Sequence, residues 1–367
     1  MKKTSQSEEI MNSYEKMLAI IFILILLGEL NVVIQPSIVA KTSVNLLNVR
    51  YEDGECVEVT YSIKQGTYPN ILKVTLIPVY QSLIDKNLYV YYDKDYPYSL
   101  TSLGSWIGVI DHLDENVKLK GYKGKLEIVN ASKLKEIMLQ KYNSVLIIPS
   151  GVLPETVHTK ENSIVKQYLE NGGIIVWIGD VFAAYSGKQG GKIISFSPEN
   201  PGLEAQEKIL GYIISNTSKF ESADVETHYS KALSLKYPGI HTGAFREEIL
   251  KHNGLVLGKV KENRTSIGMV PVGKGFLILF GGIVTPARTV FGEDFIASDV
   301  INILLSGIFY SNGQLSYDEI HRKNVYNETL SVALKDNKII GIAFFVVSED
   351  YYSYFFFRQF IDLRAGT

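Results

Sequence analysis

The chain has 367 residues, of which 46% are hydrophobic and 21% charged, and a net charge of −2. That is length and apolar content for a sizeable core in two or three domains. The near-neutral balance gives no basic footprint for nucleic acid, and one cysteine, Cys56, excludes an internal disulfide and a cysteine-based metal site.

The chain opens on a polar, mildly basic stretch, "MKKTSQSEEIMNSYEK", followed by twelve uncharged residues, "MLAIIFILILLG", then Glu29 and "VVIQPSIVAK". A run of this length suits the core of a secretory signal with cleavage at Ala40. Read through to Ala40, it reaches the roughly 20 residues that span a bilayer. Residues 1–40 are thus expected to be a cleaved signal or a retained transmembrane helix, with a buried core helix as the plainer alternative. The membrane is the expected partner of this segment, and the lysines ahead of the run place the rest of the chain on the extracytoplasmic side. Asn130, Asn216, Asn263 and Asn327 stand in N-x-[ST] patterns. They are compatible with export and are candidate glycosylation sites.

Residues 41–85 are β-rich. "SVNLLNVRYEDGECVEVTYSIKQGTYPNILKVTLIPVY" holds three apolar runs broken by Asp53-Gly54 and by Gly66 to Asn70, and "VEVTYSI" alternates with period two. Cys56 reads as a half-buried structural thiol of such a strand. From residue 86 to 310 the pattern changes to βα alternation. Strands are expected at "NLYVYYD", "KLEIV", "SVLIIPSG", "IIVWIG" and "GKGFLILFGG". Helices are expected at "SLGSWIGVIDHL", with Trp106, Ile107, Ile110 and Leu113 on one face, and at "SKLKEIMLQKY", "ENSIVKQYLENGG" and "SDVINILLSGIF". Gly172 is placed to cap the third of these. The alternation implies a three-layer α/β/α, flavodoxin-like, mostly parallel sheet. Residues 311–367 are β-rich again: "ETLSVAL" and "IIGIAFFVV" flank a hairpin-length "KDNK", and "YYSYFFFRQFI" follows. The two β-rich ends are each too small to bury a core alone. They are expected to pair into a β-sandwich, or else to offer an edge to a protein partner.

The succession "YNSVLIIPSGVLP", "IVKQYLENGGIIVWIGD", "PVGKGFLILFGGI", "ASDVINILLSGI" resembles the class I glutamine amidotransferase-like fold. The likeness is to the branch of trehalose-utilisation-type proteins and the trimerisation domain of some β-galactosidases. In the catalytic members of that family, the turn after the strand "IIVWIG" holds a nucleophilic cysteine on a tight elbow. Here the turn reads Ile178, Gly179, Asp180, Val181, Phe182, with no Cys, Ser or Thr from 174 to 182. No histidine stands in an "HPE"-like string; His228 and His241 are the nearest in sequence. The resemblance therefore implies the fold without thiol or serine chemistry.

The remaining candidates lie at the carboxyl ends of the strands, where open α/β sheets bind ligands. These are Asp93 and Asp95, Ser150 and Gly151, and Gly179 and Asp180. Asp180 is expected to cap a helix beginning "VFAAY"; a carboxylate acting as base or ligand-binding group is the alternative. His158 reads as an exposed loop residue, "GKQGGK" as a flexible loop, and "GEDF" as a loop before the last helix. No zinc or calcium spacing occurs, so no metal and no cofactor are expected. The expected function is a non-catalytic ligand-binding or interaction module at the cell surface. The alternatives are an accessory subunit of a membrane transport or protease system, and a carbohydrate-active hydrolase using Asp93 and Asp180.

Overall fold

The computed structural model describes residues 42–52, 55–66, 71–81, 84–99, 105–159, 163–195, 203–216, 221–282, 286–321, 325–335, 339–348 and 355–364. It opens on three strands, β1 (Ser43–Glu52), β2 (Cys56–Lys64) and β3 (Ile71–Val79). Strict alternation in β2 buries Val57, Val59, Tyr61 and Ile63 completely and turns the residues between them outward. β3 is buried on both faces from Leu72 onward. Next come β4 (Asn87–Tyr91), α1 (Ser105–Leu119), β5 (Leu126–Val129), α2 (Ala131–Gln140), β6 (Ser144–Ile148), α3 (Val165–Glu170) and β7 (Ile174–Gly179). After an excursion carrying α4 (Leu203–Leu210), α5 (His228–Ala232) and α6 (Arg246–Lys251), the chain adds β8 (Leu255–Val256), β9 (Ile267–Val272), β10 (Gly275–Gly281) and α7 (Pro286–Ser306). It ends on β11 (Ser316–His321), β12 (Val325–Ala333), β13 (Gly341–Ser348) and β14 (Phe356–Asp362).

Seven strands form one mixed sheet in the order β8-β9-β10-β7-β6-β4-β5. The five from β10 to β5 run parallel, β9 pairs antiparallel with β10, and β8 pairs antiparallel with β9. Alternate residues divide its apolar side chains. Val90, Ile147, Val176 and Ile278 share a core with Val109 and Leu113 of α1 and with Val300 and Leu304 of α7. Tyr91, Leu146, Trp177 and Leu277 share another with Leu134 and Met138 of α2, Tyr168 and Leu169 of α3, and Ile249 of α6. Ile107, expected on the inner face of α1, is exposed.

The terminal strands make two further sheets, β1-β2-β12 and β11-β3-β13-β14. Val57, Val59, Tyr61 and Ile63 of the first meet Leu72, Val74, Leu76, Ile342, Phe344 and Val346 of the second in a shared core. The reverse face of the second sheet, Ile77, Val79, Ala343, Phe345 and Val347, joins the core under α7. β13 therefore has no polar face, and all eight of its residues are buried. Full burial of a phenylalanine such as Phe344 or Phe345 contributes about 2–3 kcal/mol. Thr42–Thr367 forms one compact unit.

Two expectations are corrected. A three-layer α/β/α, flavodoxin-like, mostly parallel sheet does not describe this chain. Strand makes up 42% against 25% helix, distributed among five sheets of the described residues, and β9 runs against both of its neighbours. The physical reason lies in the terminal strands, which build two antiparallel sheets of their own, and in the excursion. The helix expected at "VFAAY" is a turn, and the chain instead forms short ribbons. Tyr185–Lys188 pairs with Lys192–Ser195, and Arg264–Thr265 lies between Ala244–Phe245 and Val260–Lys261. Strands of two to four residues are held by pairing partners and carry no periodicity of their own. The second correction concerns the membrane. The segment expected as signal, transmembrane helix and membrane partner, residues 1–40, lies outside the described residues. No described helix is long and apolar enough to cross a membrane, so attachment through an N-terminal helix finds no support among the described residues. β14, the last strand, lies at the edge of its sheet; Tyr351 to Tyr354 lie outside the described residues.

Candidate functional site

The parallel strands bring Asp93, Asp95, Ser150, Gly151, Gly179 and Asp180 to one edge of the large sheet, and the local geometry shows what each does there. Asp93 Oδ1 accepts from the Asp95 amide at 3.0 Å, and Oδ2 from the Ala131 amide at 3.1 Å, at the first residue of α2. Its carboxylate closes a turn and tethers the start of that helix. Asp95 is exposed, and its carbonyl accepts from the Gly190 amide at 2.8 Å. This bond draws the tip of the 185–195 ribbon, read as the "GKQGGK" loop, over the edge. Ser150 is buried, donates to the Val152 carbonyl at 2.9 Å, and accepts from the Ser99 amide through its own carbonyl at 2.9 Å. Gly151 has φ +64° and Gly179 φ +106°, left-handed conformations that favour glycine.

Asp180 is buried, with Oδ1 accepting from the adjacent Val181 amide at 2.7 Å and its carbonyl from Trp177 Nε1 at 2.6 Å. It caps no helix, because residues 181–184 form a turn with Ala183 at φ +55°. Val181, Phe182, Ala183 and Ala184 are fully buried, and Phe182 meets Trp177 edge-on at 5.2 Å between ring centres. Thr242 donates to the Gly179 carbonyl from the far side. The place of a nucleophile elbow is thus filled by packed side chains.

His158 is buried, not the exposed loop residue its polar neighbours suggest. Its Nε2 bonds the Ala183 carbonyl at 2.9 Å, and its own carbonyl accepts from Ser186 Oγ at 2.7 Å. Burial pushes the imidazole down to about 4, so it is neutral at ordinary pH and Nε2–H is the donor.

The four candidate glycosylation asparagines are all exposed. Asn130 is the N-cap of α2, accepting from the Lys133 amide. Asn216 accepts from Arg264, and Asn263 from the Glu247 amide. Asn327 lies on β12 opposite Ser62.

Two features escaped the sequence reading. One is a groove of about 640 Å³ where the end of α1 meets β14, lined by Asp85, Lys120, Lys123, Phe356, Arg358 and Phe360. Arg358 Nη1 bonds Asp85 Oδ1 at 2.7 Å across its floor. The other is the polar network behind it. Lys120 Nζ donates to Ser298 O at 3.0 Å, Ser298 Oγ at 2.7 Å and Asn302 Oδ1 at 2.8 Å. All three ammonium donors are taken, so Lys120 presents its stem to the groove and its charge to α7. Burial lowers it to about 7. Asp299, fully buried, accepts from the amides of Lys236 and Tyr237, and burial raises it to about 7 despite those bonds. A lone aspartate inside the apolar run "SDVINILL" is the sequence signal for such a buried charge. Among the described residues no group of three or more His, Cys, Asp or Glu is placed to hold a metal ion.

Comparison with known proteins adds little function. Residues 86–216 match the family described as "MJECL34 family". The uncharacterized protein MJECL34 of Methanocaldococcus jannaschii is 31% identical over 110 residues, which are 27% of this chain and 34% of that one. The chain thus spans about a third of the length of the curated relative it matches. Among solved structures, the cytoplasmic protein STM1381 from Salmonella typhimurium LT2 is similar with a TM-score of 0.36 and 11% identity, over 60% of this chain and 98% of that one. The β-galactosidase from Bacillus circulans sp. alkalophilus has a TM-score of 0.35 and 9% identity, over 77% of this chain and 40% of that one.

Proposed function

We propose that the protein is a non-catalytic ligand-binding module. The observation that carries this reading is the use made of each edge carboxylate. Asp93 accepts from the Asp95 and Ala131 amides and Asp180 Oδ1 from the adjacent Val181 amide, and Val181 to Ala184 pack fully buried directly after Asp180. A hydrolase working through two carboxylates needs them facing one sugar about 5–10 Å apart with room between. The amidotransferase-like pattern, with Gly179-Asp180 at the elbow, points the same way. The groove between α1 and β14 supplies what a binding site needs: aromatic walls, a fixed ion pair and an accessible lysine.

The test is a pair of measurements on the purified chain. Glutamine and nitrophenyl glycosides are expected to turn over no faster than background. In a ligand screen by thermal shift, Phe360→Ala and Lys123→Glu are expected to abolish stabilisation by whichever compound raises the melting temperature. Turnover that disappears in Asp180→Asn would overturn the reading.

A further inference from the structure

A second cavity, of about 190 Å³, lies where β3 meets α5 and the strand pair before β9. Four of its lining residues are lysines, Lys73, Lys231, Lys236 and Lys259, and one is acidic, Glu226. They converge from four places in the chain. Lys73 alternates along β3 with Leu72 and Val74, which enter the core between the terminal sheets, so its side chain leaves on the opposite face. There Thr75, two residues on, donates to the Ala232 carbonyl at 2.7 Å and fixes β3 against the end of α5. Lys73 is itself buried and lies beside Glu319 of β11. Lys231 stands 3.9 Å from Glu226. The backbone at Lys236 is held by Asp299, which accepts from its amide. Among the described residues no carboxylate stands at ion-pair distance from Lys259. Lys231 is exposed and Lys236 and Lys259 are half-buried; Lys73 and Lys231 have a carboxylate beside them, and the excess of like charge around so small a volume is reduced by a bound anion.

The second, independent observation is Ser234. It lines the same cavity, is 8% exposed, and its Oγ has no hydrogen-bond partner. It also sits at φ +51°. A buried hydroxyl without a partner costs about 1–3 kcal/mol, and a non-glycine residue in the left-handed region about 1–2 kcal/mol. Both costs fall on a residue that lines the same cavity as the four lysines.

We infer that this cavity binds a small oxyanion of the phosphate class, held by the ammonium groups of Lys73, Lys236 and Lys259 and by a hydrogen bond from Ser234 Oγ. The inference rests on the reading of the protein as a binding module and names a ligand chemistry for it. At about 190 Å³ the cavity falls below the roughly 300–1,000 Å³ of sites for drug-sized ligands, so it suits an ion or the phosphoryl end of a larger molecule.

The full chain is titrated with sodium phosphate, sodium sulfate and sodium chloride at matched ionic strength, reading the melting temperature. Phosphate and sulfate are expected to raise it saturably beyond chloride, as a ligand bound to the native state alone must. Lys259→Gln is expected to weaken phosphate binding about tenfold, the loss of one charge-assisted bond. Ser234→Gly is expected to weaken it too, while its unliganded melting temperature equals or exceeds the wild type, because glycine relieves both costs. Glu226→Gln should tighten binding by removing a repelling carboxylate. Competition by glycerol 3-phosphate at equal affinity identifies an esterified phosphate as the ligand; binding of the inorganic ion alone identifies the free anion; either supports the site. No saturation beyond chloride, or one phosphate affinity shared by wild type, Lys259→Gln and Ser234→Gly, overturns it. Lys123→Gln, in the other groove, is the control. If that variant alone abolishes the phosphate effect, the anion sits between α1 and β14, and the inference fails while the binding-module reading stands.

Discussion

Two buried residues set opposing pH responses. His158 has a folded value of about 4, below its unfolded value of 6.5. Its contribution to stability is present above pH 6.5 and is lost as the pH falls toward 4. Asp299 has a folded value of about 7, above its unfolded 3.8. Its contribution is present below pH 3.8 and is lost as the pH rises toward 7. At 1.36 kcal/mol per pKa unit His158 amounts to roughly 3 kcal/mol and Asp299 to roughly 4 kcal/mol, so between about pH 4 and 6.5 the two slopes cancel. Denaturant titrations are expected to find the wild type nearly flat in that window, with His158→Gln losing stability as the pH rises and Asp299→Asn gaining it. Parallel profiles for all three proteins would refute the assignment. At this scale the sequence was partly legible. Asp180 does spend its carboxylate on a backbone amide, as its setting after a strand suggests, but on its immediate neighbour rather than a helix end. His158, which follows "PET" ahead of a helix, reads as exposed; it is buried where it bonds Ala183 and Ser186, distant in the chain.

Among the elements, the junction of α3, β7 and β10 shows how a short motif is read and where reading stops. "NGG" announces the end of α3, and Gly172 at φ +104° and Gly173 return amides to Leu169 and Tyr168 at 3.0 Å each. Nothing in the pattern announces that Gly275 crosses directly over this turn, so that a Cβ there would collide with the Gly173 carbonyl. Gly275→Ala is accordingly expected to destabilise by about 2–4 kcal/mol, since neither backbone can retreat. Gly190→Ala, at φ +90° with open space around it, is expected to cost about 1 kcal/mol. Equal losses in urea unfolding would contradict the crossing. N-cap loss in Asn130→Ala is expected at about 1 kcal/mol on the same assay. β4, β6, β7 and β10 are legible because a strand covered on both faces is an unbroken apolar run. The ribbons of the excursion are not, because two paired residues have no period.

Across the whole molecule, the terminal sheets are joined to the rest by a few specific links as well as by the apolar face of β13. Arg358 and Asp85 form a largely buried pair between β14 and the residues before β4. Removing one partner strands the other, so Arg358→Ala is expected to cost about 2–4 kcal/mol by denaturant unfolding; an unchanged midpoint would show that water already solvates Asp85. Truncation after Asn312 removes β11 to β14, the partners of β2 and β3. It is expected to make residues 43–79 sensitive to limited proteolysis; persistent protection of that segment would refute the dependence. The sequence by itself determined where the long buried strands lie, that Cys56 stands alone, and that no Cys, Ser or Thr occupies the turn after β7, because these follow from residue type and local period; α7 begins at Pro286 and runs through "GEDF", which reads as a loop. Only the tertiary structure decided that β3 and β13 serve two cores at once, that the excursion mixes short helices with paired ribbons, and that Lys73, Lys231, Lys236, Lys259 and Ser234 meet around one cavity. Contacts between residues tens to hundreds of positions apart are chosen by packing and pairing across the whole fold, and no local pattern along the chain encodes them.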